Sequence, residues 1–157
     1  IVVIAIIAVL AAILIPSLMG WVGKSSLRTA NTNAKAVATN GASVLADLET
    51  QGHYLSGGFS GNAEPENAEP EYNKAYVEGE VAKLAGFTDE NEWGFFYDSD
   101  EEKVTYAFWK KNSKSPYVGT YPEEATGKNG VGGSTKPATG GGGGNEGDGG
   151  GNEGDGN

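Results

Sequence analysis

Residues 1–23 read IVVIAIIAVLAAILIPSLMGWVG, and residues 24–50 continue KSSLRTANTNAKAVATNGASVLADLET. The first stretch carries no charged side chain. Thirteen of residues 1–22 are Ile, Val or Leu, and four more are Ala. At about −0.3 to −0.6 kcal/mol per large aliphatic side chain at the bilayer centre, the run favours membrane insertion by about 4–8 kcal/mol. As a helix it rises about 35 Å, enough to cross a hydrocarbon layer. A secretory signal peptide fits less well. It would need a basic leading segment and a small-residue cleavage site, and here helical sequence continues straight past the apolar run. A wholly buried soluble helix fits poorly too, because the rest of a 157-residue chain is too small to wrap an apolar rod. Pro16 interrupts the run. It removes the hydrogen bond that the carbonyl of Ala12 would accept, a loss that apolar membrane helices tolerate when neighbours re-satisfy the freed groups.

Beyond Lys24 the pattern becomes amphipathic. Leu27, Ala30, Ala34, Val37, Gly41, Val44 and Leu48 are separated by alternating steps of 3 and 4, a heptad stripe that Ala38 and Leu45 widen. Arg28, Asn31, Lys35, Asn40, Asp47 and Glu49 are assigned to the opposite, solvated face. Small residues in the middle of the stripe allow a partner surface to approach closely. Gln51-Gly52 closes the helix, glycine being the usual residue just past a helix C-terminus. A single helix over residues 1–50 is too long for a domain of this size to bury, so its first half must meet lipid or copies of itself.

Branched aliphatics, the Ala11-Ala12 pair and then Ile13-Leu14-Ile15-Pro16-Ser17-Leu18 resemble the N-terminal helix of type IV pilins and related pseudopilins. The resemblance is close over residues 1–25 and extends in kind to residue 50. It implies an α+β, pilin-like fold, with the apolar half of the helix protruding and the amphipathic half packed on a small antiparallel sheet. It implies a membrane and filament-core surface made of Ile1, Val2, Val3, Ile4, Ile6, Ile7, Val9, Leu10, Ile13, Leu14, Ile15 and Leu18. It also implies a helix break at Pro16, the helix loosening within Ala8–Ile15 once a filament is assembled. The partners it implies are copies of the chain in a helical homopolymer, the cytoplasmic membrane before assembly, an ATP-driven pilus assembly machinery and prepilin peptidase. The expected location is a cell-surface filament acting in adhesion, surface motility or uptake. A pseudopilin of a type II secretion system is the alternative within the family. Members normally open with an N-methylated aromatic or Met and a Thr-Leu-x-Glu-Leu segment. Those residues would precede Ile1, so a chain lacking its first several residues is expected, and the register-setting glutamate has no counterpart here.

The expected divisions are the apolar helix 1–23, its amphipathic continuation 24–51, a globular head 52–126 and a Gly-rich acidic tail 127–157. Residues 52–71 read as an exposed loop with a five-residue near-repeat around Pro65 and Pro70. A short helix follows over 73–85, with Tyr72, Tyr76, Val77, Val81 and Leu84 on one face and Gly86 as its stop. The aromatic and β-branched runs 93–97 and 104–109 read as a hairpin around an acidic turn, and 117–121 as a third strand. In the second strand Val104, Tyr106 and Phe108 share one face, and Thr105, Ala107 and Trp109 the other. One of these faces is expected on Val37, Val44 and Leu48. The tail holds 15 of the 26 glycines and a seven-residue repeat from Asn145, so a flexible segment is expected there.

Little in the chain points to catalysis, and no cofactor is expected. With no Cys and one His, disulfides, thiolate zinc sites and thiol chemistry are excluded. His53 reads as a solvated loop residue without a nucleophile or orienting group nearby. No phosphate-binding or dinucleotide fingerprint occurs. Asp98, Asp100 and Glu102 alternate through the hairpin turn and are retained as an alternative Ca²⁺ site. Calcium wants six to eight oxygens, so a solvated turn is the preferred reading. Residues 51–126 carry 6 basic and 15 acidic side chains, a balance that disfavours nucleic acid. Lys110, Lys111 and Lys114 read as a solubilising strand end. A third function class, a membrane-anchored polysaccharide-binding module, would use Trp93, Trp109, Tyr117 and Tyr121 as exposed aromatics.

Overall fold

The computed structural model describes residues 1–59, 65 and 67–137. The repeat at Asn145 and most of the Gly-rich tail lie outside the described residues, as does part of the near-repeat around Pro65. Helix α1 runs unbroken over Val2–Thr50, with Pro16 inside it. It ends where expected. Gly52 takes φ 90°, its amide reaches Glu49 O at 3.0 Å, and the His53 amide reaches Leu48 O at 3.0 Å. Such a left-handed turn favours glycine, and it satisfies carbonyls that the helix end would otherwise leave open.

Next come β1 (Gly57–Phe59), α2 (Lys74–Ala85), β2 (Glu92–Asp98), β3 (Lys103–Lys110) and β4 (Val118–Tyr121). The four strands form one antiparallel sheet in the order β1-β2-β3-β4. The sheet lies across the second half of α1, so the chain is α+β. Ala30, Ala34, Val37, Ala38, Gly41, Val44, Leu45 and Leu48 are all buried where α1 meets the sheet and α2, as the stripe predicts.

Three departures from the sequence reading have local causes. First, the segment read as loop contains β1, and Phe59 is buried. Its ring stacks on Phe95 with centroids 4.6 Å apart. Three residues, two of them Gly, carry too little pattern to reveal a strand. Second, β3 does not alternate strictly. Phe96 pairs with Tyr106 and Tyr97 with Val104, so Thr105 is the extra residue of a bulge. Val104 therefore joins Ala107 and Trp109 on the helix side, while Tyr106 and Phe108 face outward, half-buried. Third, α2 buries Lys74, Val77 and Val81, whereas Tyr76 and Leu84 are exposed. The lysine stem covers apolar surface while its ammonium reaches Glu78 at 3.6 Å.

Two glycines set the helix–sheet distance. A Cβ at Gly41 would sit 2.9 Å from the Phe95 ring, and one at Gly119 would overlap the backbone of Ala30 and Asn31. The described residues beyond Gly127 still hydrogen-bond to the head. A 3-10 turn at Lys128–Gly130 is tied by Asn129 N to Pro116 O at 2.8 Å, and Ser134 Oγ accepts from Glu123 N at 2.8 Å.

Candidate functional site

The feature that stands apart from ordinary globular packing is the first half of α1. Every Ile, Val and Leu of residues 1–22 is more than half exposed, from Leu10 at 53% to the chain-end Ile1. These positions include the whole expected core set from Ile1 to Leu18. The helix is continuous through Pro16 in the single chain; the loosening expected at Ala8–Ile15 concerns an assembled filament. Among the described residues this is the one helix long and apolar enough to cross a membrane.

Where α1 meets the head, a groove of about 690 Å³ opens between Trp21–Ala30, the loop Thr88–Asn91, and Trp109, Lys111, Ser115 and Tyr117. Each wall is held locally. Asn91 Nδ2 donates to Lys111 O at 2.9 Å, and its Oδ1 accepts from Thr88 N at 3.0 Å. Ser115 Oγ accepts from Tyr117 N at 3.2 Å. The Tyr117 ring lies against Gly23, where a Cβ would come within 2.6 Å of its hydroxyl. Trp109 forms part of the wall, and its indole N–H is buried without a hydrogen-bond partner among the described residues.

The residue that locks the head to α1 was assigned to the wrong face. Asn31 is 5% exposed. Its Nδ2 donates to Ala125 O at 2.9 Å, and its Oδ1 accepts from Ala125 N at 3.1 Å and Thr120 N at 3.3 Å. One side chain thereby satisfies three backbone groups, one in β4 and two in the segment that follows it. Glu49, also read as solvated, is half-buried and accepts from Tyr97 Oη at 2.7 Å. Burial, reinforced by this carboxylate, pushes the Tyr97 phenol far above its ordinary pKa. Burial likewise raises the Tyr106 phenol.

No match was found among protein-family models, curated proteins or solved structures.

The remaining candidates divide by what surrounds them. In the acidic turn, Asp98 Oδ1 accepts from Asp100 N at 3.0 Å and Glu101 N at 3.2 Å, an Asx turn. Glu101 pairs with Lys103. Among the described residues no three acidic or His side chains gather closely enough to hold a metal ion, those of Asp98, Asp100 and Glu102 included. His53 is not a free loop residue. Its ring packs on Tyr72 at 4.2 Å, and Nδ1 lies 3.3 Å from Glu69. Lys110 reaches Glu92 at 3.2 Å and Ser113 O at 2.8 Å, so it works within the strand end. The aromatics proposed for a polysaccharide do not form a platform. Trp109 is 6% exposed, and Trp93, Tyr117 and Tyr121 are half-buried in the packing between sheet and helix. The exposed aromatics are Trp21, Tyr54 and Tyr76, spread over separate elements. Val37, Val44 and Leu48 are buried between helix and sheet as expected.

Proposed function

We propose that the chain is a structural subunit of a helical filament of the type IV pilin kind, working by assembly rather than catalysis. The observation that carries this reading is the exposed apolar half of α1 on a helix whose other half is packed into the head. Leaving a large aliphatic side chain in water rather than burying it costs about 1.5–3 kcal/mol. Thirteen such residues, each at least half exposed, place the total on the order of 10–20 kcal/mol. That matches or exceeds the net stability of a typical domain, about 5–15 kcal/mol, so bulk water is not the resting environment of this helix. In the cytoplasmic membrane lipid covers it; in a filament the helices of neighbouring copies replace the lipid, and the acidic head faces outward. The residue order around Pro16 supports the pilin reading. Membrane insertion by the assembly route, prepilin peptidase processing and a surface location follow from the resemblance.

Microscopy of cells producing the chain is the direct test. Long surface filaments containing this subunit are expected, with Ile1–Leu18 in the core at side-chain resolution. Short periplasmic filaments would indicate the secretion pseudopilin instead. A stable monomer of the complete chain in detergent-free buffer would overturn both readings.

A further inference from the structure

We propose that the groove between α1 and the head is a binding site for the headgroup of an anionic phospholipid. The inference rests on insertion of residues 1–23 into a bilayer, the first step of the proposed function. Depth is the first argument. Val2 to Gly23 rises about 33 Å along α1, against a hydrocarbon layer of about 30 Å. With Gly23 at the boundary, Lys24–Thr29 spans the next ~9 Å, which covers the headgroup layer. Lys111 and Tyr117 line the same groove as Ser25 and Thr29, so the fold brings them to that level.

Charge is the second argument. The chain carries a net charge of −10, and a field of that sign repels an anionic surface. Locally the sign reverses. Lys24 and Arg28 line a smaller cavity that shares Trp21 and Ser25 with the groove, and Lys111 lines the groove itself. Among the described residues Glu90 is the one acidic residue on either wall. Among the described residues none of the three cations has an ion-pair partner. Two cations of α1 and one just beyond β3 thus stand at the level of the lipid phosphates on a chain of opposite overall sign.

Continuity is the third. An apolar cavity of about 300 Å³ along Leu18, Met19 and Val22 meets the groove at Val22 and Tyr117. It gives an acyl chain a track down the helix while the phosphate meets the cations and the hydroxyls of Ser25 and Thr29. Trp21, 77% exposed, stands at the boundary where Trp and Tyr anchor membrane proteins.

The test uses the full chain in phosphatidylcholine bilayers carrying a trace of spin-labelled phosphatidylglycerol or spin-labelled phosphatidylcholine. Electron spin resonance reads the fraction of each label held by the protein. Phosphatidylglycerol is expected to be favoured about fivefold or more, the effect of a single surface cation. The preference should collapse near 1 M salt, where the screening length is about 3 Å. Lys111→Gln should lower it severalfold, and Lys35→Gln, beyond the groove, should leave it unchanged. Equal retention of the two labels, or no effect of Lys111→Gln, overturns the site while leaving membrane insertion intact. Displacement of the labelled lipid by free glycerol phosphate overturns the lipid assignment in favour of a soluble anion. A chain that enters neither bilayer overturns the membrane step and the site together.

Discussion

Replacing Asn31 by Ala should cost the head about 2–4 kcal/mol. The change removes three hydrogen bonds at once, those to Ala125 O, Ala125 N and Thr120 N. Thr120 and Ala125 are both buried, so their amides lose a partner in a place with little access to water. A buried group left unpaired costs about 1–3 kcal/mol, and three would approach the stability of the whole domain. The neighbouring Glu124 and Thr126 are exposed, however, so water can reach the loosened loop, and the lower half of the range is expected. Asn31→Asp sharpens the test. An ionised carboxylate still accepts from the two amides but meets the Ala125 carbonyl with a second acceptor. Protonation restores a donor, so this variant should recover stability as pH falls through the carboxylate range. The assay is denaturant unfolding of the detergent-solubilised chain followed by tryptophan fluorescence, with hydrogen exchange read at Thr120 and Ala125. An Asn31→Ala protein within about 0.5 kcal/mol of the parent, the range of a neutral surface change, would refute the account of Asn31 as the lock.

Gly119→Ala should destabilise more than Gly41→Ala. At Gly119 the added methyl overlaps the backbone of Ala30, whereas at Gly41 it meets the edge of the Phe95 ring at 2.9 Å, a smaller overlap and with a side chain rather than backbone. Overpacking of this kind costs about 1–3 kcal/mol, and thermal unfolding of the two variants should place Gly119→Ala at the upper end; the reverse order would contradict the close approach of β4 to α1. Alkaline unfolding supplies a second check. The Tyr97 phenol is raised in the folded state by burial and by Glu49. The folded protein therefore holds that proton after the unfolded chain has released it. The contribution is fully present below the ordinary tyrosine pKa of 10.0 and is lost as pH climbs from there through the folded value. Tyr97→Phe should flatten this alkaline decline in a pH series of urea midpoints; an unchanged slope would show that the phenol does not carry it.

The long helix, its apolar first half, the buried stripe from Ala30 to Leu48 and the stop at Gly52 were all legible in the residue order. So were α2 and three of the four strands. These features rest on periodicity and on backbone preferences, which act over a few residues and need no knowledge of the rest of the chain. The insertion tendency of residues 1–23 is likewise a sum over composition.

What the tertiary structure alone decided depends on distant partners. Asn31 sits beside the predicted stripe, and its polarity argued for solvent. It is buried because the segment at Ala125, 94 residues away in sequence, brings backbone groups that a carboxamide can satisfy. The bulge at Thr105 turned Val104 inward and Tyr106 outward, reversing part of a face that strict alternation would have kept together. Trp109 became a wall rather than a binding surface because Phe87 and Trp93 pack beside it, with ring centroids of Phe87 and Trp109 6.1 Å apart. The groove at the end of the apolar run has walls from α1, from the loop after α2, and from β3 and the residues beyond it. Local pattern specifies each of those elements separately; only the packing of the sheet onto the helix places Lys111 and Tyr117 at the level where α1 leaves its apolar run.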